Sequence, residues 1–145
     1  MMDNIHHIFY INLDRRIDRR NQIIEELKIL GVPSDKIERF PAIQWNPAYI
    51  GCTKSHLAVL RLARERNYPN VLILEDDFML NVRPDVFHQQ LHDFFESNIN
   101  YDVVMLAYNL SRSEPMNEIV GYARDCQTAS AYLVHQCLDR KSTRL

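Results

Sequence analysis

Short apolar runs alternate along this chain with segments whose apolar positions recur every three or four residues. The runs are rich in β-branched and aromatic side chains and lie at residues 5–13, 71–74 and 103–107. Their composition predicts buried strands. Helical periodicity is present in residues 16–30, in residues 56–66 and beyond Pro84. This alternation predicts an α/β fold, an α/β/α sandwich with a mostly parallel sheet.

Glycine and proline residues indicate where several of these elements end. Gly31 stops the first predicted helix. Pro41 interrupts the apolar piece at residues 37–43, which favours an edge or irregular strand there. Thr53 or Ser55 is expected to cap the second helix.

The last third of the chain gives a weaker pattern. Residues 109–118 are polar and rich in turn-forming side chains, and residues 129–134 either return as a strand or begin a helix. Apolar periodicity is lost near the end. We therefore expect one domain over residues 1–137 and a tail over residues 138–145.

The bulk composition narrows the function. The chain has 145 residues, of which 46% are apolar, and its formal net charge is -2. This balance argues against coating nucleic acid or an anionic membrane. The three cysteines form no CxxC pair and no zinc-type spacing, so a reduced, cytoplasmic location is expected. We expect no membrane span, because no segment approaches the roughly 18 apolar residues that one needs.

Three acidic residues, Glu75, Asp76 and Asp77, follow the apolar run at 71–74 directly. Ligands of α/β sheets bind beyond the carboxyl ends of strands, and carboxylates are the hard ligands that Mg2+ and Mn2+ prefer. Adjacent strand residues face opposite ways, so the triplet can serve one ion only if the strand ends within it. A turn starting at Asp76 would bring Asp77 to the metal. The alternative is that the acids solvate a loop or cap the next element.

An arginine-rich cluster follows the first predicted strand at residues 12–20. Guanidinium groups pair bidentately with a diphosphate, and Asn12 or Asp14 is suited to a base or ribose. The alternative is a solvated first helical turn, although the macrodipole disfavours cations at that end of a helix. The cluster favours contact with a nucleotide.

Residues 51–56 read Gly-Cys-Thr-Lys-Ser-His, which is compatible with a tight anion-binding loop that opens a helix. The glycine spacing of a Walker loop is absent. His56 falls on the apolar helix face, where a ligand and a hydrogen-bonded core histidine are equally expected. Cys52 lacks the pattern of a nucleophile and is interpreted as structural. Trp45 and Tyr49 either stack on a base or sugar or pack within a loop.

Three motifs, in this order along the chain, resemble glycosyltransferase family 25, which contains bacterial lipopolysaccharide galactosyltransferases and collagen hydroxylysine galactosyltransferases. The motifs lie at residues 9–16 with Arg19 following, at 51–56 and at 71–77. Residues 39–42 and 131–133 match further family features. The resemblance spans about residues 5 to 135, and the motifs together are far more specific than any one of them.

The resemblance implies a GT-A-like nucleotide-binding fold, a UDP-sugar donor carrying galactose or glucose, and a glycan or hydroxylated acceptor. It also implies a divalent cation, Mn2+ or alternatively Mg2+, held by the acidic triplet in the manner of a DxD motif. Glu75 stands where a strict DxD has aspartate, so Asp76 and Asp77 are the favoured metal pair. The family pattern assigns donor-nucleotide or pocket contacts to five positions: Asn12, Arg15, Arg19, Ser55 and His56.

The resemblance leaves the catalytic base unassigned, since Glu114, Glu118 and Asp125 are each better explained by solvation. Family catalytic domains normally continue beyond this length, so the end of the chain is expected to be a frayed tail, a truncation or a non-native extension. A catalytically incomplete nucleotide-sugar-binding or protein-interaction domain is therefore the alternative. A metal-dependent phosphoryl enzyme is a third reading, weakened because no DxDxT-type motif follows the acidic strand.

Overall fold

A computed structural model of the chain describes residues 2–107, 110–126 and 130–136. The expected tail at residues 138–145 lies outside these ranges. The elements, in chain order, are β1 (His7–Asn12), α1 (Ile17–Ile29), a 3-10 turn (Ser34–Lys36), β2 (Ile37–Pro41), α2 (Ala48–Glu65), β3 (Asn70–Glu75), α3 (Pro84–Glu96), β4 (Val103–Ala107), β5 (Leu110–Pro115), β6 (Gly121–Cys126) and β7 (Ala131–His135).

Five of the strands form one sheet in the order β2-β1-β3-β7-β4. Strand β1 pairs in parallel with β2 and with β3, whereas β7 pairs antiparallel with both β3 and β4. The predicted α/β class is confirmed. The sheet is mixed rather than mostly parallel, because residues 131–135 return as a strand that enters between β3 and β4 and runs antiparallel to both. As expected from Pro41, β2 lies at an edge.

The alternating side chains of the central strands build two hydrophobic clusters, one on each face of the sheet. On one face Ile8 and Leu72 pack with Ile23 and Leu27 of α1 and with Leu91 of α3. On the other face Phe9 and Ile73 pack with Val59 and Ala63 of α2. The sheet is therefore covered by helices on both sides, as a sheet buried on both faces requires.

The first helix ends at the predicted glycine. Gly31 has a φ of 69°, a left-handed conformation that favours glycine. Its N–H donates to the carbonyl of Lys28, and the N–H of Val32 donates to the carbonyl of Leu27. These two bonds satisfy carbonyls that the helix end would otherwise leave unpaired.

The predicted start of the second helix is wrong. Helix α2 begins at Ala48, directly after Pro47, so Thr53 and Ser55 lie inside it and do not cap it. Gly51 is likewise helical rather than part of a loop. A Cβ at this position would lie 2.5 Å from the carbonyl oxygen of Ile43, so the glycine serves close packing of the helix against the preceding segment.

The polar segment after β4 also differs from the expectation of turns alone. Strands β5 and β6 form an antiparallel hairpin separate from the main sheet. The described side chains of this hairpin are mostly exposed, so its sequence lacks the apolar alternation that marks a half-buried strand. Among the described residues, no helix has the length and apolar character needed to cross a membrane.

Candidate functional site

The carboxyl ends of the three parallel strands meet at one edge of the sheet. Ile11 is in register with Glu75, and Asn12 is in register with Pro41. A cavity of about 350 Å³ opens at this edge. It is lined by Ile11, Leu13, Arg15, Arg19, Ala42, Ile43, Gln44, Trp45, Ala48, Cys52, Ser55, Glu75, Asp76 and Asp77. Such a position is where α/β proteins bind ligands.

The acidic triplet lies where the strand ends. Strand β3 stops at Glu75, and the N–H of Phe78 donates to the Glu75 carbonyl, which closes a turn over Asp76 and Asp77. The turn therefore starts at Asp76, as the sequence predicts. Because the strand's alternation is broken within the triplet, the Glu75 and Asp76 carboxylates contact different partners and Asp77 is exposed.

Asp76 is buried, with 8% of its surface exposed, and its carboxylate is anchored from β1 and α1. Asn12 Nδ2 donates to Asp76 Oδ2 at 2.7 Å, and Arg19 Nη1 lies 3.4 Å from Asp76 Oδ1. Of these two contacts, the amide hydrogen bond is the shorter and better formed. Asp76 is thus fixed in place, and Arg19 is held loosely enough for its guanidinium to face the cavity as well.

Asn12 is 1% exposed and holds several parts of the site together. Its amide nitrogen also donates to the Arg16 carbonyl at 3.0 Å, and its amide oxygen accepts from Arg39 Nε at 3.0 Å. Arg39 donates further to the backbone oxygen of Asn12 and to Asp14 Oδ1. Both amide hydrogens of Asn12 are therefore engaged by the protein. Its contacts give it a positioning role, and direct contact with a nucleotide stays a prediction.

Glu75 turns to the opposite wall, toward α2. His56 Nε2 lies 3.2 Å from Glu75 Oε1, and Cys52 Sγ lies 3.5 Å from the same oxygen. His56 Nδ1 is 2.6 Å from the Tyr132 hydroxyl of β7. Since a carboxylate only accepts, His56 Nε2 carries a hydrogen that it donates to Glu75, and Nδ1 shares a second hydrogen bond with the tyrosine hydroxyl.

This network shifts the pKa values of its members. The hydrogen bond from His56 lowers the pKa of Glu75 despite partial burial of the carboxyl. Burial raises the pKa of the Cys52 thiol, and the negative charge of Glu75 raises it further. Burial is also the main cause of a strongly raised pKa at Tyr132. At neutral pH the group therefore contains one carboxylate, a protonated thiol and a protonated phenol.

Ser55 supports the cavity wall from within α2. Its hydroxyl donates to the Gly51 carbonyl at 2.8 Å and accepts from the N–H of Ile43 at 2.8 Å, and the residue is fully buried. These bonds tie the segment before the helix to its second turn. Ser55 thus shapes the wall formed by Ile43 and Trp45, and contact with a nucleotide stays a prediction for it, as it does for His56.

The open side of the cavity carries exposed groups of both charges. Within the described part of the chain, neither Arg15 nor Asp77 forms a hydrogen bond or an ion pair, and both are exposed. Trp45 is 54% exposed, and the Lys54 ammonium lies 4.3 Å from the centre of its ring. Tyr49 is also exposed but does not line the cavity. This side can accept an anionic ligand together with a flat ring.

Six of the eight predicted site residues line one cavity, but the acidic triplet is not gathered into a single cluster. The other two, Asn12 and His56, do not line it and contact Asp76 and Glu75 respectively. Among the described residues, the group of three metal-ligand side chains whose donor atoms all lie within 4.8 Å of one another is Cys52, His56 and Glu75. Asp76 faces Asn12 instead, and Asp77 faces the opening. Glu114 and Glu118, the described candidates for a base, are exposed on the hairpin and do not line the cavity.

The sequence does not predict the contacts that three residues make in this region. The sequence indicates a structural Cys52, and the structure adds that its side chain lines the cavity. The sequence pattern assigns neither Arg39 nor Tyr132 a role at the site. The spacing of Cys52 and His56 by four residues carried a usable signal, because it places both side chains on one face of a helix. That signal was hidden by the expectation that the helix begins only at Thr53 or Ser55.

Comparison with known proteins adds two findings. A family model described as "Glycosyltransferase family 25 (LPS biosynthesis protein)" matches residues 46–120, which include α2, β3 and the acidic triplet. A protein of Anopheles gambiae called "Glycosyltransferase 25 family member" is 29% identical over 102 residues. That match covers 51% of this chain and 17% of the relative, so the chain spans about a sixth of that protein's length.

Proposed function

The chain belongs to glycosyltransferase family 25, and from this premise we propose that it uses the cavity to bind a UDP-sugar, the donor of a hexosyl group. The hexose is galactose or glucose, and the acceptor is a glycan or another hydroxylated molecule. The observation that carries the proposal is the placement of arginines and carboxylates around one cavity at the carboxyl ends of β1 and β3.

The basic and acidic side chains of the cavity would bind different parts of a metal–nucleotide complex. Arg15 and Arg19 suit the phosphate oxygens, because guanidinium pairs bidentately with them. Trp45 offers an exposed ring on which the base can stack. Asp77 is the carboxylate best placed for a divalent cation, since it is exposed to the opening and has no protein partner among the described residues.

The residues fit the hard cation that the family implies, Mn2+ or Mg2+. Asp77 would hold it together with Asp76, whose oxygens each retain a lone pair beyond the contacts with Asn12 and Arg19. When bound, such an ion neutralises the charge of the leaving diphosphate. The role of Asn12 is then to keep the Asp76 carboxylate in one orientation, which a fixed coordination geometry requires.

The proposal is tested by calorimetric titration of UDP, UDP-galactose and UDP-glucose into the purified chain, with Mn2+ and then with a chelator. We expect binding that needs the metal. Asp77→Asn should weaken it by about tenfold or more, because a charged contact contributes about 1.5–3 kcal/mol. Asp35→Asn, an exposed aspartate outside the cavity, is the matched control. Unchanged binding in the Asp77 variant, or none in the wild type, would contradict the proposal.

Transfer is measured separately, as UDP released in the presence of a hydroxylated acceptor. The second candidate function is nucleotide-sugar binding without turnover. It is favoured by one observation: among the described residues that line the cavity, the only carboxylates are those of the acidic triplet, and none is an imidazole. A general base for the acceptor hydroxyl is therefore not assigned. Donor binding without UDP release would support this candidate.

A further inference from the structure

We propose that Cys52, His56 and Glu75 form a three-ligand site for a Zn2+-type ion, separate from the hard-cation position at Asp76 and Asp77. The site goes beyond the proposed donor function and does not depend on it. It is built from two elements, since α2 supplies Cys52 and His56 and the end of β3 supplies Glu75.

The first argument is distance. A tetrahedral zinc ion with usual bond lengths separates its sulfur and oxygen ligands by about 3.6 Å and its nitrogen and oxygen ligands by about 3.4 Å. The observed separations are 3.5 Å from Cys52 Sγ to Glu75 Oε1 and 3.2 Å from His56 Nε2 to that oxygen. All three donor atoms lie within 4.8 Å of one another. Because the Cys52 side chain is exposed, the distance from its sulfur to His56 Nε2 can adjust when an ion binds.

The second argument is the chemistry of the donor set. Thiolate and imidazole select Zn2+ over Mg2+ and Mn2+, which prefer oxygen ligands. Three protein ligands leave a fourth tetrahedral position for water or a substrate atom. Because Cys52 and Glu75 line the cavity, an ion that they held would be accessible from it. The two cation positions therefore differ in ligand type as well as in place.

The third argument is the support behind the histidine. A metal-bound histidine usually donates its other ring N–H to a fixed partner, and the Tyr132 hydroxyl is 2.6 Å from His56 Nδ1. With Nε2 bound to an ion, the ring hydrogen would lie on Nδ1, where the tyrosine oxygen would accept it. The Cys52 thiol loses its proton to solvent as the Cys52–metal bond forms. Ligation requires a thiolate and a neutral imidazole, and no redox step is involved.

The proposal is tested with Co2+ as a spectroscopic probe on the reduced, chelator-treated chain. We expect a sulfur-to-cobalt charge-transfer band in the near ultraviolet that saturates at one Co2+ per chain. Zn2+ should remove the band at stoichiometric concentration, whereas equal Mn2+ should leave it. Absence of the band, or equal displacement by Mn2+, would overturn the site.

Variants identify the ligands. Cys52→Ser, or Cys52→Ala if the serine variant does not fold, should abolish the band, and His56→Gln should weaken Co2+ binding. Tyr132→Phe should weaken it by about tenfold through the histidine. A band that survives loss of Cys52 would assign the thiolate elsewhere and refute the proposal.

The Asp77→Asn variant separates the two proposals. It removes the carboxylate proposed for donor binding and leaves all three soft-site ligands in place, so its cobalt band should match that of the wild type. If nucleotide binding is absent from every protein while the band is present, only the donor proposal has failed. If the band is absent while donor binding is present, only the soft-metal site has failed. Loss of the band in Asp77→Asn would contradict the separation of the two sites.

Discussion

The substitution Gly51→Ala in helix α2 has two opposite effects on the stability of the protein. Alanine is the better helix former and by itself would stabilise the protein by about 1 kcal/mol. The added methyl group would lie 2.5 Å from the Ile43 carbonyl oxygen, 3.1 Å from the Trp45 nitrogen and 3.3 Å from Trp45 Cβ. Contacts of Cβ below 3.0 Å essentially do not occur, so the helix and the wall must separate by about half an ångström.

Moving the helix away from the wall destabilises the protein by more than the higher helix propensity of alanine stabilises it. Overpacking of this kind costs about 1–3 kcal/mol. It also stretches the hydrogen bond from the Ile43 N–H to Ser55 Oγ, now 2.8 Å, and such a bond contributes about 1 kcal/mol. We therefore expect Gly51→Ala to lower the free energy of unfolding by about 1–3 kcal/mol, with the gain in helix propensity already subtracted.

The assay is urea denaturation followed by circular dichroism, with fluorescence as a local probe. Trp45 is the only tryptophan of the chain, so its emission reports the wall that must move. Thr53→Ala, an exposed position in the same helix, is the control and should change stability by no more than about 0.5 kcal/mol. An alanine variant at Gly51 that is as stable as the wild type, with unchanged emission, would refute the reasoning.

Three further predictions concern other parts of the structure. Asn12→Ala should lower the free energy of unfolding by about 1–3 kcal/mol, measured in urea, because it leaves the buried Asp76 carboxylate without its amide donor. Leu133→Ala should cost about 2–5 kcal/mol in the same assay, since Leu133 is fully buried in β7. Glu38 should stabilise the fold above pH 4.5 and lose this contribution as the pH falls, because the hydrogen bond from Arg66 lowers its pKa.

Each of these three predictions has a control variant or a result that would contradict it. Val103→Ala removes a more exposed side chain from β4, so equal losses at positions 133 and 103 would argue against a central β7. Glu38→Gln should lose less stability than the wild type when the pH is lowered from above to below 4.5, and a parallel decline would contradict the ion-pair explanation. An Asn12 variant of wild-type stability would remove its assigned positioning role.

The sequence predicted those features that depend on neighbouring residues. The apolar run at 71–74 gave both a buried strand and the place where its acids would meet a cavity, and Gly31 gave the helix end. The start of α2 was missed because Gly51 is required by contact with Ile43, which lies outside the helix. Periodicity within the helix does not report that contact. The β5–β6 hairpin was missed because it buries little apolar surface.

The sequence also does not predict which distant strands pair with residues 131–135. The pattern at residues 129–134 left strand and helix open, and no local signal gives its antiparallel entry between β3 and β4. Tyr132 therefore could not be assigned to His56, from which it is separated by 76 positions. The family resemblance includes the motif around Tyr132. The placement of β7 in the sheet then shows that the Tyr132 hydroxyl contacts His56.

The position of β7 in the sheet determines which part of the fold can form last during synthesis. Among the described residues, β7 is the strand that pairs with β4, and it is the second partner of β3. During synthesis a gap therefore stays open in the middle of the sheet until residues 131–135 emerge. Pairing across this separation is slow, because a long loop must close before the contacts form. The same strand delivers Tyr132 to His56. The histidine network therefore matures last, and a chain interrupted before β7 lacks both a closed sheet and a finished site.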